Sequence, residues 1–130
     1  MRKLRPSARG QTLIEYALIL PVLMLLLVVL FDFGRAVYYY SVVYNAAREG
    51  ARYGIIHPDD SAGIEDTARN LAVGLDPASL VIASDHQDDG TYNRIAVTIQ
   101  YVFDPVTPLV EDLLGGSIIL SSQSTMNVEE

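Results

Sequence analysis

The chain has no cysteine. That excludes a disulfide framework, a thiolate metal site and a cysteine nucleophile, and it leaves the compartment open. There is no lysine after Lys3. Of 9 basic residues, Arg2, Lys3, Arg5 and Arg9 sit in the first ten positions, where there is no acid. The remaining five face all 16 acidic residues, so the chain beyond Gly10 has a net charge of −11. A body this acidic offers no Lys/Arg surface for phosphates, which argues against nucleic-acid binding. The 8 tyrosines have no basic groove beside them, so base stacking is unsupported. Histidine is confined to His57 and His86. No Ser/His/Asp set has a catalytic spacing and no Gly-rich loop is built for phosphate. The expectation is a protein that is not an enzyme and needs no cofactor.

Charge is missing altogether from Tyr16 to Phe31. At 130 residues the chain is at most one domain's worth of material, and 50% of it is hydrophobic. That excess is concentrated before residue 32. Leu13 to Phe31 is about as long as a bilayer core requires, ~20 residues at ~1.5 Å each. A basic head before it and an acidic body after it predict a single pass, with the N-terminus inside and the C-terminal part outside. A secretory signal peptide has a shorter apolar core and ends in a small-residue cleavage site. Asp32-Phe33-Gly34-Arg35 follows here instead. A plain signal anchor accounts for the length but not for Glu15, a carboxylate at the head of the apolar run. An acid inside a membrane segment marks function by default and calls for a named partner. No basic residue lies between Glu15 and Arg35. A cut after Gly10 would supply one, because the freed amine of Gln11 lies four residues from Glu15.

The segment Arg9-Gly10-Gln11-Thr12-Leu13-Ile14-Glu15-Tyr16 resembles the type III signal of type IV pilin-like proteins: a basic leader ending in Gly, then Glu at mature position five. Glu15-Tyr16 resembles the Tad (tight adherence) branch. ALILPVLMLLLVVLFDFGRAVYYYSVVYNAAREGARYG resembles the TadE-like pseudopilins, whose pattern holds an acidic residue-Phe-Gly-Arg and then N-A-A-R-E-G-A-R. The tail VTIQYVFDPVTPLVEDLLGGSIILSSQSTMNVE is similar more loosely. The resemblance implies a prepilin peptidase that cuts between Gly10 and Gln11. It also implies that Glu15 and Tyr16 serve sorting and assembly. The partners it implies are other pilin or pseudopilin subunits, the pilus assembly machinery and membrane lipid. The location it implies is the bacterial cytoplasmic membrane, with passage into an extracellular adhesion pilus. An outer domain larger than the bulk Tad pilins have favours a minor or initiating subunit. The alternative is a membrane-anchored binding module that never polymerises.

The helical pattern continues past the membrane run. Val37, Tyr40, Tyr44, Ala47, Ala51 and Gly54 fall at three- and four-residue spacing and predict a packing seam. Ala46, Gly50 and Gly54 form a small-residue row beside it. Gln11–Ile56 as one helix would measure ~70 Å. Pro21 is expected to kink it, and Gly34 is a second soft point. Arg35, Arg48 and Arg52 read as a solvated face, or as a hold on an acidic partner. Pro58 stops the helix. Asp60 or Ser61 caps a second one with an Ile64, Ala68, Leu71, Ala72, Leu75 stripe, closed by Gly74 and Pro77. Leu80–Ala83 is a short strand and SDHQDDGTYN a turn centred on Asp89-Gly90. Arg94–Phe103 alternates as a strand, the loop after it has room for one helical turn, and Ile118–Val128 is a last strand. Asp85, Asp88, Asp89 and Gly90 lack the spacing of a calcium loop, and a solvated turn is expected there. The expected fold is α+β and membrane-anchored. It comprises a leader at 1–10, a transmembrane helix at 11–33, a stem at 34–56 and an outer domain at 57–130. That outer part is too small for a core of its own, so the stem is expected to share it.

Overall fold

The computed structural model describes residues 8–128, so most of the leader, Met1–Ser7, lies outside the described residues. Helix α1 runs from Ala8 to Ile56 without a break, through both Pro21 and Gly34. It is long and apolar enough to cross a membrane. Helix α2 spans Ser61–Leu71. A short 3-10 turn at Pro77–Ser79 leads into β1, Leu80–Asp88. Strand β2 is Asn93–Phe103, helix α3 is Pro108–Leu114, and β3 is Ile118–Asn127. The three strands form one antiparallel sheet in the order β1-β2-β3.

Asp60 caps α2: its Oδ1 accepts the Gly63 N–H at 3.0 Å, and its Oδ2 accepts the Tyr53 hydroxyl at 2.9 Å. Those bonds hold the Asp60 carboxyl below its usual range, the Gly63 amide contributing most. Ile64 and Ala68 of α2 are fully buried, as expected for the stripe, but Leu71 is 43% exposed. Leu71 is the helix's last residue, with Ala72 as the C-cap, and beyond it Ala72 and Leu75 are buried as expected. Gly74 lies beyond the cap at φ +82, where it reverses the chain. Strand β1 is longer than expected. Ser84–Asp88, read as turn, pairs with Asn93–Val97. This is an edge strand with one wet face, so polar side chains do not stop it from pairing. The turn itself shrinks to Asp89–Tyr92.

Strand β2 is the centre of the sheet and of the core. Ile95, Val97, Ile99, Tyr101 and Phe103 all point inward and are buried, matching the alternation in the sequence. They meet Val43, Ala46, Ala47 and Ala51 of α1, each at 0% exposure. The outer half of α1 is therefore part of the core. It turns a row of Asp32, Ala36, Tyr39, Val43, Ala46 and Gly50 toward the sheet, spaced 4-3-4-3-4. Of the expected seam, Ala47, Ala51 and Gly54 are buried beside that row. The seam's Val37, Tyr40 and Tyr44 are exposed, at 54%, 49% and 48%.

Strand and helix rise together. Tyr39 packs edge-on to Tyr101 and Phe103, with centroids 5.4 and 5.8 Å away, while Gly54 faces Ile95. From Tyr39 to Gly54 the helix climbs ~22 Å, and from that aromatic pair to Ile95 the strand climbs ~20–27 Å. At the far end the fit is tight. A Cβ on Gly54 would lie 2.8 Å from Ile95 Cγ1 and 3.1 Å from Ile64 Cδ1. One on Gly34 would meet nothing within 4 Å. Gly54→Ala is expected to destabilise the chain. Overpacking of ~1–3 kcal/mol exceeds the ~1 kcal/mol that Ala gains over Gly in a helix. Gly34→Ala keeps only the gain. Thermal unfolding of the detergent-solubilised chain, followed by circular dichroism, checks the pair; Gly54→Ala melting at or above the parent would refute the packing account.

Candidate functional site

The first half of α1 stands apart from the sheet and from α2. Every side chain from Gly10 to Val28 is exposed, and most are Leu, Ile, Val or Met. Such a surface is hydrophobic all round, which suits lipid or a packed bundle and not water. Gly10 and Gln11 lie in its first turn. Glu15 follows one turn later, exposed, with no charged partner among the described side chains. Tyr16 is 67% exposed beside it. Pro21 falls in the middle of this half. Its missing N–H leaves one backbone acceptor unpaired, which a membrane helix tolerates when its surroundings adjust.

The small-residue row is spent within the chain. Ala46, Ala47, Gly50, Ala51 and Gly54 are buried. A Cβ on Gly50 would touch Ala68 at 3.2 Å and Val97 at 3.3 Å. These residues bring α1 against its own α2 and β2. What α1 leaves open at this level is Val37, Tyr40 and Tyr44, with Arg48 and Arg52. Arg52 lies 4.0 Å from Glu49 across one turn, an exposed contact of little energy.

The residue the sequence reading passed over is Asp32. It closes the apolar run, yet it is only 4% exposed. Its Oδ1 accepts the Val106 N–H at 3.0 Å. Its Oδ2 accepts the Thr107 N–H at 2.8 Å and the Thr107 hydroxyl at 2.6 Å. Arg35 Nη1 donates to Oδ1 at 3.2 Å. The Arg35 guanidinium also stands over the rings of Phe103 and Tyr39, 5.3 and 5.6 Å from their centroids. Arg35 is thus a half-buried strut and not part of a solvated face. The acid-Phe-Gly-Arg segment pins the loop between β2 and α3 to the helix where its apolar run ends. A signal was present, in an acid placed where the greasy run ends. Its partners, some 75 residues further on, are not visible in sequence.

The two histidines lie at the opposite end. His57 stacks on Tyr53, with centroids 4.7 Å apart. His86 Nε2 is 2.8 Å from the Asn93 side-chain oxygen, and its Nδ1 is 3.2 Å from Asp59. Both ring nitrogens face oxygen acceptors, which only the imidazolium satisfies. The Asn93 bond, aided by Asp59 and Asp88 and opposed by partial burial, raises the His86 pKa above its ordinary value. In the adjoining turn, Asp89 Oδ1 accepts the Tyr92 N–H at 2.7 Å and the Thr91 N–H at 3.0 Å. Asp88 Oδ1 accepts the Gly90 N–H at 3.0 Å. These carboxylates are spent on closing the hairpin. Among the described residues no cluster of three or more His, Asp or Glu side chains is placed to hold a metal.

Two outcomes follow from these contacts. Asp32→Ala strands two amides and a guanidinium in a closed site, and is expected to cost ~3 kcal/mol. Hydrogen exchange at Val106 and Thr107 should accelerate with it; unchanged exchange there would refute the clamp. For His86, a folded pKa above the unfolded one means that its stabilisation is complete below ~6.5 and is lost as pH rises through the folded value. The gap in melting temperature between the parent and His86→Gln should therefore be wider at about pH 5 than at about pH 8.

A family model described as TadE-like protein matches residues 10–52. No curated protein and no solved structure matches the chain. The matched stretch takes in Gly10, Glu15, the exposed apolar half of α1, Asp32 and Arg35, and the row of small residues that meets the sheet. Over Gly10–Arg52, about a third of its length, the chain is similar to the TadE-like family, in agreement with the resemblance drawn from its sequence motifs.

Proposed function

We propose that the protein is a TadE-like minor pilin or pseudopilin that contributes to the assembly of a Tad-type adhesion pilus. The observation that carries this reading is Glu15 on a helix half whose every side chain is exposed, inside the matched stretch. A segment whose side chains are exposed from Gly10 to Val28 can exchange lipid for neighbouring helices. Residues 11–33 cross the cytoplasmic membrane, 34–56 form the stem and 57–130 the outer domain. The basic head keeps the N-terminus inside. A prepilin peptidase cuts between Gly10 and Gln11, and the freed amine meets Glu15 of the same or a neighbouring copy. A wrong register leaves that carboxylate unpaired in hydrocarbon, so the pair selects register more than it adds affinity. The role is structural, and the partners are other pilin-like subunits and the machinery that assembles them.

One observation favours a second reading. The stem's small-residue row is already filled by the chain's own sheet, which leaves less of α1 for helix-on-helix contact. A membrane-anchored binding module that does not polymerise would look the same there. Intact mass of the membrane-extracted protein separates the two. Loss of residues 1–10 is expected on the first reading, and an intact leader favours the second. Glu15→Ala is expected to insert normally and to fail to enter the assembly. Incorporation at the parent's level would remove the pairing account.

A further inference from the structure

The outer domain has a second apolar surface, and its height is fixed. Val29 lies within the membrane run, three residues before Asp32. It lines one cleft of about 160 Å³ together with Asp32, Phe33, Ala36 and, from α3, Val110 and Leu114. The run from Leu13 to Phe31 measures ~28 Å, against the ~30 Å of a hydrocarbon core, so none of it is spare. Val29 is therefore inside the hydrocarbon boundary, and α3 is beside it. The Asp32 bonds to Val106 and Thr107 hold the start of α3 at this level.

One side of α3, the loop before it and Phe33 of α1 together show an apolar surface at that height. Leu113 is 82% exposed, Val106 68%, Phe33 67% and Leu114 52%. Helical spacing puts Val110, Leu113 and Leu114 on one side of α3 and Glu111 and Asp112 on the other. Large apolar side chains in water at this density call for a cover. The geometry points to the acyl-chain boundary of the outer leaflet as that cover: α3 and the Val106 loop form a seat that dips into the membrane. The outer domain then rests on the bilayer and is not carried clear of it. Contact is by apolar burial. No lysine follows Lys3, the body is acidic, and Arg35 at this level is already engaged with Asp32, so anionic headgroups are not required and zwitterionic lipid suffices. This inference rests on the single-pass reading of α1 and not on processing or polymerisation.

The chain has no tryptophan, so one can be placed at will. The full chain carrying Leu113→Trp is reconstituted into phosphatidylcholine vesicles with brominated acyl chains. Phe31→Trp, in the run, is the membrane reference. Tyr92→Trp, in the distant β1–β2 turn, is the aqueous one. Leu113→Trp is expected to emit to the blue of Tyr92→Trp and to be quenched by bromolipid as Phe31→Trp is. That quenching should not change with added salt or with the protein-to-lipid ratio. Emission and iodide quenching like those of Tyr92→Trp would overturn the seat. Shielding that appears only at high protein density would also overturn it, in favour of a second copy as the cover. If Phe31→Trp too escapes bromolipid, the membrane anchor itself fails and the seat with it. Circular dichroism matching the parent confirms that each variant is folded.

Discussion

The carboxylate of Asp32 sits where one helix changes surroundings. Below it α1 is apolar on every side; above it α1 has one face turned to the sheet. A buried carboxylate left bare would cost several kcal/mol, so something must return to the helix at this level to satisfy it. The Val106–Thr107 loop does so, and Arg35 adds a charge of opposite sign. That return fixes the rest. Strand β2 has to end at Phe103, beside Tyr39 and Arg35, and β3 has to begin opposite it, at Ile118. The sheet can then run only outward along the helix.

Running outward works because the two elements are closely matched and the helix narrows as it goes. Aromatic bulk fills the inner end, where Tyr39 stands off Tyr101 and Phe103. Small residues take over further out, and Gly50 and Gly54 let Val97 and Ile95 approach the backbone. Helix α2 uses the same narrowing from the other side through Ile64 and Ala68. A sheet of three strands and an 11-residue helix have too little interior by themselves. By lending one face, the long helix makes the fold possible, and for that reason the same face is unavailable to a neighbour.

Much of this was readable in the residues, and the failures have physical causes. The alternation of β2 is unambiguous because its inner face is fully buried, so Ile95 through Phe103 read correctly. The membrane run, the Asp60 cap and the Asp-Gly turn each depend on a few adjacent residues. The second half of β1, Ser84–Asp88, looks like loop in sequence because pairing at a wet edge places no demand on side-chain polarity. On α1 the seam's Ala47, Ala51 and Gly54 do pack, but Val37, Tyr40 and Tyr44 do not, although by hydrophobicity they look like the better stripe. The row that does pack begins with an acid and ends with a glycine, so a count of apolar residues undervalues it. Asp32 and Arg35 were legible as a motif but not as a clamp, since Thr107 is distant in sequence.

The exposed half of α1 raises a question of driving force. Moving Leu23 or Leu26 from lipid to a neighbouring helix exchanges one apolar contact for another, so burial alone supplies little preference. On the proposed reading, selection among neighbours then falls to the few groups that lipid cannot satisfy. Glu15 is one, and the backbone acceptor freed by Pro21 is another. Both lie in the first half of the run, away from the outer domain, and Glu15 has no charged partner among the described side chains. A subunit built this way keeps its outer half closed by Asp32 and the glycine row. Its inner half stays indifferent to contact except at the points where polarity makes one neighbour, in one register, better than lipid.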